Sequence, residues 1–147
     1  MNLFNAMEVS ASGLNAQRTA THVISMNLAN IHTTWTEEGG PYLRKQAILS
    51  SSPIPPKFSG ILADRMNAEL LGVKAEVRTD DTRNHEMIFD PTHPHADESG
   101  YVTLPNVNLL EEMVGLLSAA RSYEANVTAF NSAKSMVMKS LEIGKQQ

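Results

Sequence analysis

The sequence predicts an α+β fold that is mainly α: long N- and C-terminal helices pair as an elongated coiled-coil-like hairpin, with a small β-rich middle segment. Three observations carry this. All seven prolines lie between Pro41 and Pro105, and five of the eight glycines lie between Gly39 and Gly100. Proline removes a backbone donor and clashes with the preceding turn, so helices are expected outside that stretch and not within it. Charge divides the chain in the same way. Residues 1–36 carry only Glu8 and Arg18, residues 58–98 carry nine acids against four bases, and residues 107–147 carry four of each sign. Lastly, both ends show apolar residues at alternating spacings of three and four, the period of a helix face. The expected organisation is an N-terminal helix over 1–31, a β-hairpin and β-rich middle over 32–105, and a C-terminal helix over 106–147.

The N-terminal helix is read from Leu3, Met7, Ser10, Leu14, Gln17, Thr21, Ile24, Leu28 and Ile31, six of nine positions being apolar. The residues between are mostly Ala, Ser, Thr and Asn, mediocre helix formers, and Gly13 costs up to about 1 kcal/mol. The helix should end near Asn30, ahead of β-branched Thr33 and Thr34. In the middle, Thr33–Thr36 and Tyr42–Leu49 flank Glu37-Glu38-Gly39-Gly40-Pro41, a hairpin pattern. Ser50 to Pro56 reads as an extended polyproline-type linker. Val73, Ala75 and Val77 alternate with charged residues as a half-buried strand. Met87–Phe89 and Tyr101–Leu104 are shorter strands.

The C-terminal segment has the strongest pattern. Leu109, Met113, Leu116, Ala120, Tyr123, Val127, Phe130, Lys134, Val137 and Leu141 place nine apolar or aromatic residues in ten positions over four heptads. That is a coiled-coil type of stripe. Asn108 caps its start, with Glu111 at capping-box spacing, and Gly144 suits its end. Lys134 interrupts the stripe, as a register-fixing polar residue or a lysine at its edge. A helix over 109–141 is about 50 Å long at 1.5 Å per residue, whereas a compact ball of 147 residues is roughly 40 Å across. One partner helix leaves much of the stripe uncovered. The stripes therefore predict an assembly interface: Leu3, Met7, Leu14, Ile24, Leu28 and Ile31 from the first helix, and Leu109, Met113, Leu116, Ala120, Tyr123, Val127, Phe130, Val137 and Leu141 from the last.

Composition excludes several classes of function. A net charge of -4 and a pI near 5.7 lack the clustered cationic surplus of a nucleic-acid binder. No run approaches 18 apolar residues, so no membrane insertion is expected. The first residues lack the basic and apolar regions of a cleaved signal peptide. With no cysteine, disulfides, thiolate metal sites and thiol catalysis are ruled out. Asp90-Pro91-Thr92-His93-Pro94-His95-Ala96-Asp97 holds residue types that ligate zinc or nickel, yet two prolines and unspecific spacing favour a structural turn. A small metal enzyme centred on His93, His95 and Asp97 stays a weaker alternative. The pairs Glu37-Glu38 and Glu111-Glu112 could suggest paired carboxylates, but Glu37-Glu38 reads as a solvated turn and Glu111 as a helix cap. There is no phosphate-binding glycine loop and no nucleophile elbow. Neither catalysis, nor a cofactor, nor a metal is expected. Trp35 beside the predicted turn is read either as an exposed aromatic anchor at an interface or as a residue of a small core.

Ser10-Ala11-Ser12-Gly13-Leu14-Asn15-Ala16-Gln17-Arg18 and Met26-Asn27-Leu28-Ala29-Asn30 resemble the N-terminal signature shared by bacterial flagellar rod and hook proteins. Glu38-Gly39-Gly40-Pro41-Tyr42, His93-Pro94-His95-Ala96-Asp97, Gly100-Tyr101-Val102, Pro105-Asn106-Val107-Asn108, Glu112-Met113 and Ala120-Arg121-Ser122-Tyr123-Glu124-Ala125-Asn126 narrow this. Together they resemble the proximal rod proteins of the flagellar basal body, FlgC type. Met26 stands where that family more often has Ser, and Ile31-His32 replaces smaller residues. The resemblance implies a structural subunit of a helical tube that carries torque from rotor to hook. It implies export by the flagellar type III apparatus without a cleaved signal, and a place in the basal body within the periplasm. Its partners would be other rod proteins, the basal-body ring, export-gate-side components and copies of itself, with no cofactor. A free-standing helical adaptor or chaperone-like binding protein is the alternative.

Overall fold

The computed structural model describes residues 3–54 and 70–145. In chain order the elements are helix α1 (Leu3–Ala29), strands β1 (Lys45–Pro53), β2 (Leu71–Thr79), β3 (Met87–Phe89) and β4 (Tyr101–Thr103), and helix α2 (Leu109–Lys145). The α+β, mainly helical class holds: two long terminal helices enclose a middle of small antiparallel strands.

The start of α2 and the end of α1 lie where the sequence supplies a cap. The Asn108 carboxamide oxygen accepts from the N–H groups of Leu110 and Glu111 at 2.9 and 3.2 Å, satisfying two of the donors that a helix start leaves unpaired. Glu111 does not complete a capping box; its carboxylate goes to Arg83 at 2.6 Å instead. At the end of α1, Asn30 donates from its side chain and its backbone to the Met26 carbonyl, and a turn to Thr33 follows. Gly144 lies within α2 and not beyond it.

The middle corrects the predicted hairpin. Thr33–Thr36 is not a strand. Thr36 N–H donates to the Gly40 carbonyl and Gly39 N–H to that of Thr36, while Tyr42 N–H returns to Thr33. Gly39 and Gly40 both take left-handed φ, 87° and 78°, which favours glycine. The loop thus consumes the backbone groups a strand would need, and β1 pairs with β2 instead. Asp80 N–H bonds to Arg44 C=O at one end of that pair and Ile54 N–H to Leu70 C=O at the other, so the two strands run antiparallel. Ser50–Pro53 belongs to β1 and not to a polyproline linker; Pro55 and Pro56 lie outside the described residues. On β2, Gly72 is the buried position and Val73 and Val77 are exposed, so the predicted half-buried face is not formed by the valines. The second sheet pairs Met87 with Thr103, Ile88 with Val102 and Phe89 with Tyr101. Gly100, at φ 82°, opens β4, and the Phe89 and Tyr101 rings meet edge to face at 5.3 Å.

The chain forms two compact units, the first from three stretches and the second from two. The first comprises residues 1–18, 49–76 and 120–147; the second comprises 19–48 and 77–119 together, the former range holding the end of α1 and the start of β1. Within the first, Gly13 lies against Asn126 and Ser12 Oγ accepts from Val73 N–H at 3.0 Å. A Cβ on Gly72 would come within 2.8 Å of both Ile54 Cγ1 and Ser12 Oγ, so this close approach of strand and helix needs glycine. Within the second, Ile24 reaches Gly115 and Asn27 reaches Glu112. Residues later in α1 meet residues earlier in α2, so the two helices are antiparallel there.

Candidate functional site

The helix-helix line is built from small and polar residues. On α1 the buried positions are Gly13, Ala16, Val23 and Asn27; on α2 they are Glu112, Ala119 and Ala133. Their spacings are those of a heptad pattern, as predicted, but each stands one residue before a position of the predicted stripes: 13 for Leu14, 16 for Gln17, 23 for Ile24, 27 for Leu28, 112 for Met113, 119 for Ala120, 133 for Lys134. One residue is about 100° around a helix. The physical reason is axis separation. Gly and Ala let backbones approach, and large side chains then stand at the shoulders of the contact.

The predicted interface residues divide accordingly. Leu3, Met7, Leu14, Ile24, Leu28, Ile31, Leu116, Val127, Phe130 and Val137 are half-buried, while Leu109, Met113, Ala120, Tyr123 and Leu141 are exposed. Further apolar residues outside the predicted stripe are also exposed on α2, among them Leu110 at 71%, Val114 at 60% and Leu117 at 62%. A free surface rarely carries so many large apolar side chains along one helix.

The second unit contains a polar cluster that the sequence reading missed. Asn27 is fully buried and Glu112 is 1% exposed. The Asn27 amide nitrogen donates to Lys45 C=O at 2.7 Å and to Glu112 Oε2 at 3.1 Å. Its oxygen accepts from Lys45 N–H at 2.9 Å and from the Tyr42 hydroxyl at 3.0 Å. All four hydrogen-bonding positions of a carboxamide are thereby used. Glu112 Oε1 accepts from Arg44 Nε at 2.7 Å, and Arg44 extends to Asp80 at 3.5 Å. Arg83 then joins Asp80 to Glu111. Asn106 accepts from Arg44 N–H and donates to Asp80 C=O, both at 2.7 Å. Burial, then the Glu112 charge, pushes the Tyr42 hydroxyl above its ordinary pKa. A hydrogen bond from the Thr82 hydroxyl holds Asp80 below the usual carboxylate value. The cluster's signal in the sequence was a Glu on the buried line, seven residues before Ala119.

The segment with metal-ligating residue types is a turn. His93 Nδ1 accepts from His95 N–H at 3.1 Å, His95 Nδ1 shares a hydrogen bond with Thr34 Oγ1 at 2.9 Å, and Asp97 accepts from Ser99 and Tyr101 N–H. The Asp90 carboxyl is held below its ordinary pKa by the Thr92 hydroxyl. Among the described residues no three His, Asp or Glu groups converge as metal ligands. Trp35, 60% exposed, lies 5.6 Å from the His95 ring, beside an open groove of about 460 Å³ lined by Pro41, Pro94 and Tyr101 among others. Among the described residues no helix is long and apolar enough to cross a membrane.

Two family profiles match this chain. One, described as flagella basal body rod protein, covers residues 7–34. The other, described as flagellar basal body rod FlgEFG protein C-terminal, covers residues 98–143. Full-length relatives named flagellar basal-body rod protein FlgC are similar throughout. That of Bacillus subtilis (strain 168) is 47% identical over 99% of this chain and all of its own length. That of Borreliella burgdorferi is 42% identical over 97% of this chain and 98% of its own. That of Salmonella typhimurium is 34% identical over 99% of this chain and all of its own.

Proposed function

Since the chain belongs to the family of flagellar basal-body rod proteins, we propose that it is a structural subunit of the flagellar rod, polymerising with other axial proteins into the helical shaft that transmits torque from rotor to hook. It is an assembly subunit and not an enzyme. The observation that carries the reading is the row of exposed apolar residues on α2, Leu110, Val114 and Leu117, in a chain similar to rod proteins from end to end. A second helix face that is apolar and uncovered needs neighbours, and a packed tube supplies them.

The interface comprises the half-buried and exposed residues of the two predicted stripes, from Leu3 to Ile31 and from Leu109 to Leu141, with Leu110, Val114 and Leu117 added. Its partners are other rod proteins, the basal-body ring, export-gate-side components and copies of the same chain. The subunit acts in the periplasm after export by the flagellar type III apparatus without a cleaved signal.

The test is Leu117→Asp in cells that make only this variant. The exposed position leaves folding intact, while the carboxylate must be desolvated in every contact between subunits. Normal circular dichroism, loss of the protein from purified basal bodies and loss of swimming are expected. Wild-type incorporation of both Leu117→Asp and Val114→Asp would refute the assigned face.

A further inference from the structure

The buried polar cluster in the second unit does more than fill space. Asn27 occupies both backbone groups of Lys45, as a neighbouring strand would, and the same side chain binds Glu112 of α2. Asn106 does the same for Arg44 N–H and Asp80 C=O across the base of the β1–β2 pair. The side chain of Arg44 closes the circuit on Glu112. Each member therefore satisfies groups on at least two other segments. None can be seated by a single pair of elements.

We infer that Asn27, Arg44 and Glu112 form an interlock: α1 and α2 pair at this level only when the base of the β1–β2 hairpin is seated between them, and the hairpin base is held only when the helices pair. Small residues cannot enforce this. Val23, Gly115 and Ala119 offer packing without direction, so helices lined by them can pair with or without the hairpin. A buried amide with four filled positions cannot. Removing any partner leaves a buried polar group unpaired, at the full desolvation penalty. Asn27, Arg44 and Glu112 are thus positioning residues. Resting on the rod-subunit reading, the interlock ensures that a subunit presents its outward helix face only with its middle segment in place.

The test uses changes that preserve shape and reverse hydrogen-bond polarity, in the full chain. Asn27→Asp replaces the donor facing Lys45 C=O and Glu112 by an acceptor. Glu112→Gln restores a donor toward residue 27 and keeps an acceptor for Arg44. Amide exchange at Lys45, whose N–H is bonded to Asn27, and at Arg44, whose N–H is bonded to Asn106, is followed by mass spectrometry and nuclear magnetic resonance. Asn27→Asp should accelerate both by tenfold or more, including Arg44, which residue 27 does not touch through that bond. Asn27→Asp with Glu112→Gln should recover part of the protection, because the contact between residues 27 and 112 is restored while Lys45 C=O stays without its donor. A packing role alone would leave these near-isosteric variants unchanged. The inference is overturned if Arg44 exchange is unaffected in Asn27→Asp, or if the double variant shows the sum of the single effects. Should Asn27→Asp fail to fold, Glu112→Gln alone is read: protection lost only at residues 27 and 112, with Lys45 and Arg44 unmoved, overturns it, and joint loss supports it. None of these readouts depends on rod assembly, so failure here is distinct from failure of the functional reading.

Discussion

Single side chains decide how the second unit is held. Glu112 is an acid on an α2 line otherwise made of alanines, tolerable because Arg44 and Asn27 each donate to one of its oxygens. Removing one partner of a buried pair is far costlier than replacing both by apolar groups. Glu112→Ala should therefore lose about 3 kcal/mol in urea unfolding, whereas Glu111→Ala, whose pair with Arg83 is exposed, should lose under about 1 kcal/mol. Tyr42 supplies a pH signature. Its folded pKa lies above the ordinary value of 10.0, so the folded state keeps a proton that the unfolded chain releases. That contribution is intact below pH 10 and fades as pH rises toward the folded value. Tyr42→Phe should remove it, so wild type should lose more stability than the variant between pH 9 and pH 11, measured as the urea midpoint at each pH. In the first unit Gly72 is a comparable position: Gly72→Ala would press its methyl against Ile54 and Ser12 and should cost about 1–3 kcal/mol, again by urea unfolding.

At the scale of elements, the two helices were legible and their contact was not. Proline placement, the Asn108 cap and the three-four spacing located α1 and α2 within a few residues. β3 and β4 were legible as short apolar runs. The contact line escaped because hydropathy weights Leu and Met above Gly and Ala, while close-packed helices place the small residues inside. The strand at Thr33–Thr36 was misread for a related reason. Strand propensity is local, and the Gly39-Gly40 turn takes up backbone groups that only the folded loop reveals. Glu112 went unread because no sequence rule predicts a buried carboxylate before its partners are known. The displaced line yields a prediction. Ala119→Leu, on the buried line, should lower the unfolding midpoint by forcing the helices apart, at about 1–3 kcal/mol. Met113→Leu, exposed, should change stability by no more than about 0.5 kcal/mol. Equal effects, measured by thermal unfolding, would return the contact to the larger apolar stripe.

For the molecule as a whole, the informative fact is the interleaving of the chain. The first compact unit draws on an early, a middle and a late stretch, and the second on two stretches set between these. Deleting residues 2–17 removes from the first unit the contacts of Ser12 and Gly13 and leaves every residue of the second unit in place. The truncated chain should retain amide protection around Asn27, Tyr42 and Glu112 yet be absent from purified basal bodies; its normal incorporation would show that the first turns are dispensable. The same interleaving bears on timing. Asn27 and Glu112 are 85 residues apart in sequence, and Gly13 waits for Asn126. A chain emerging N-terminus first, from a ribosome or through a narrow pore, has neither unit's closing segment available until most of its length has passed. Up to that moment it stays a thread, and folding becomes an event triggered by the arrival of the last helix.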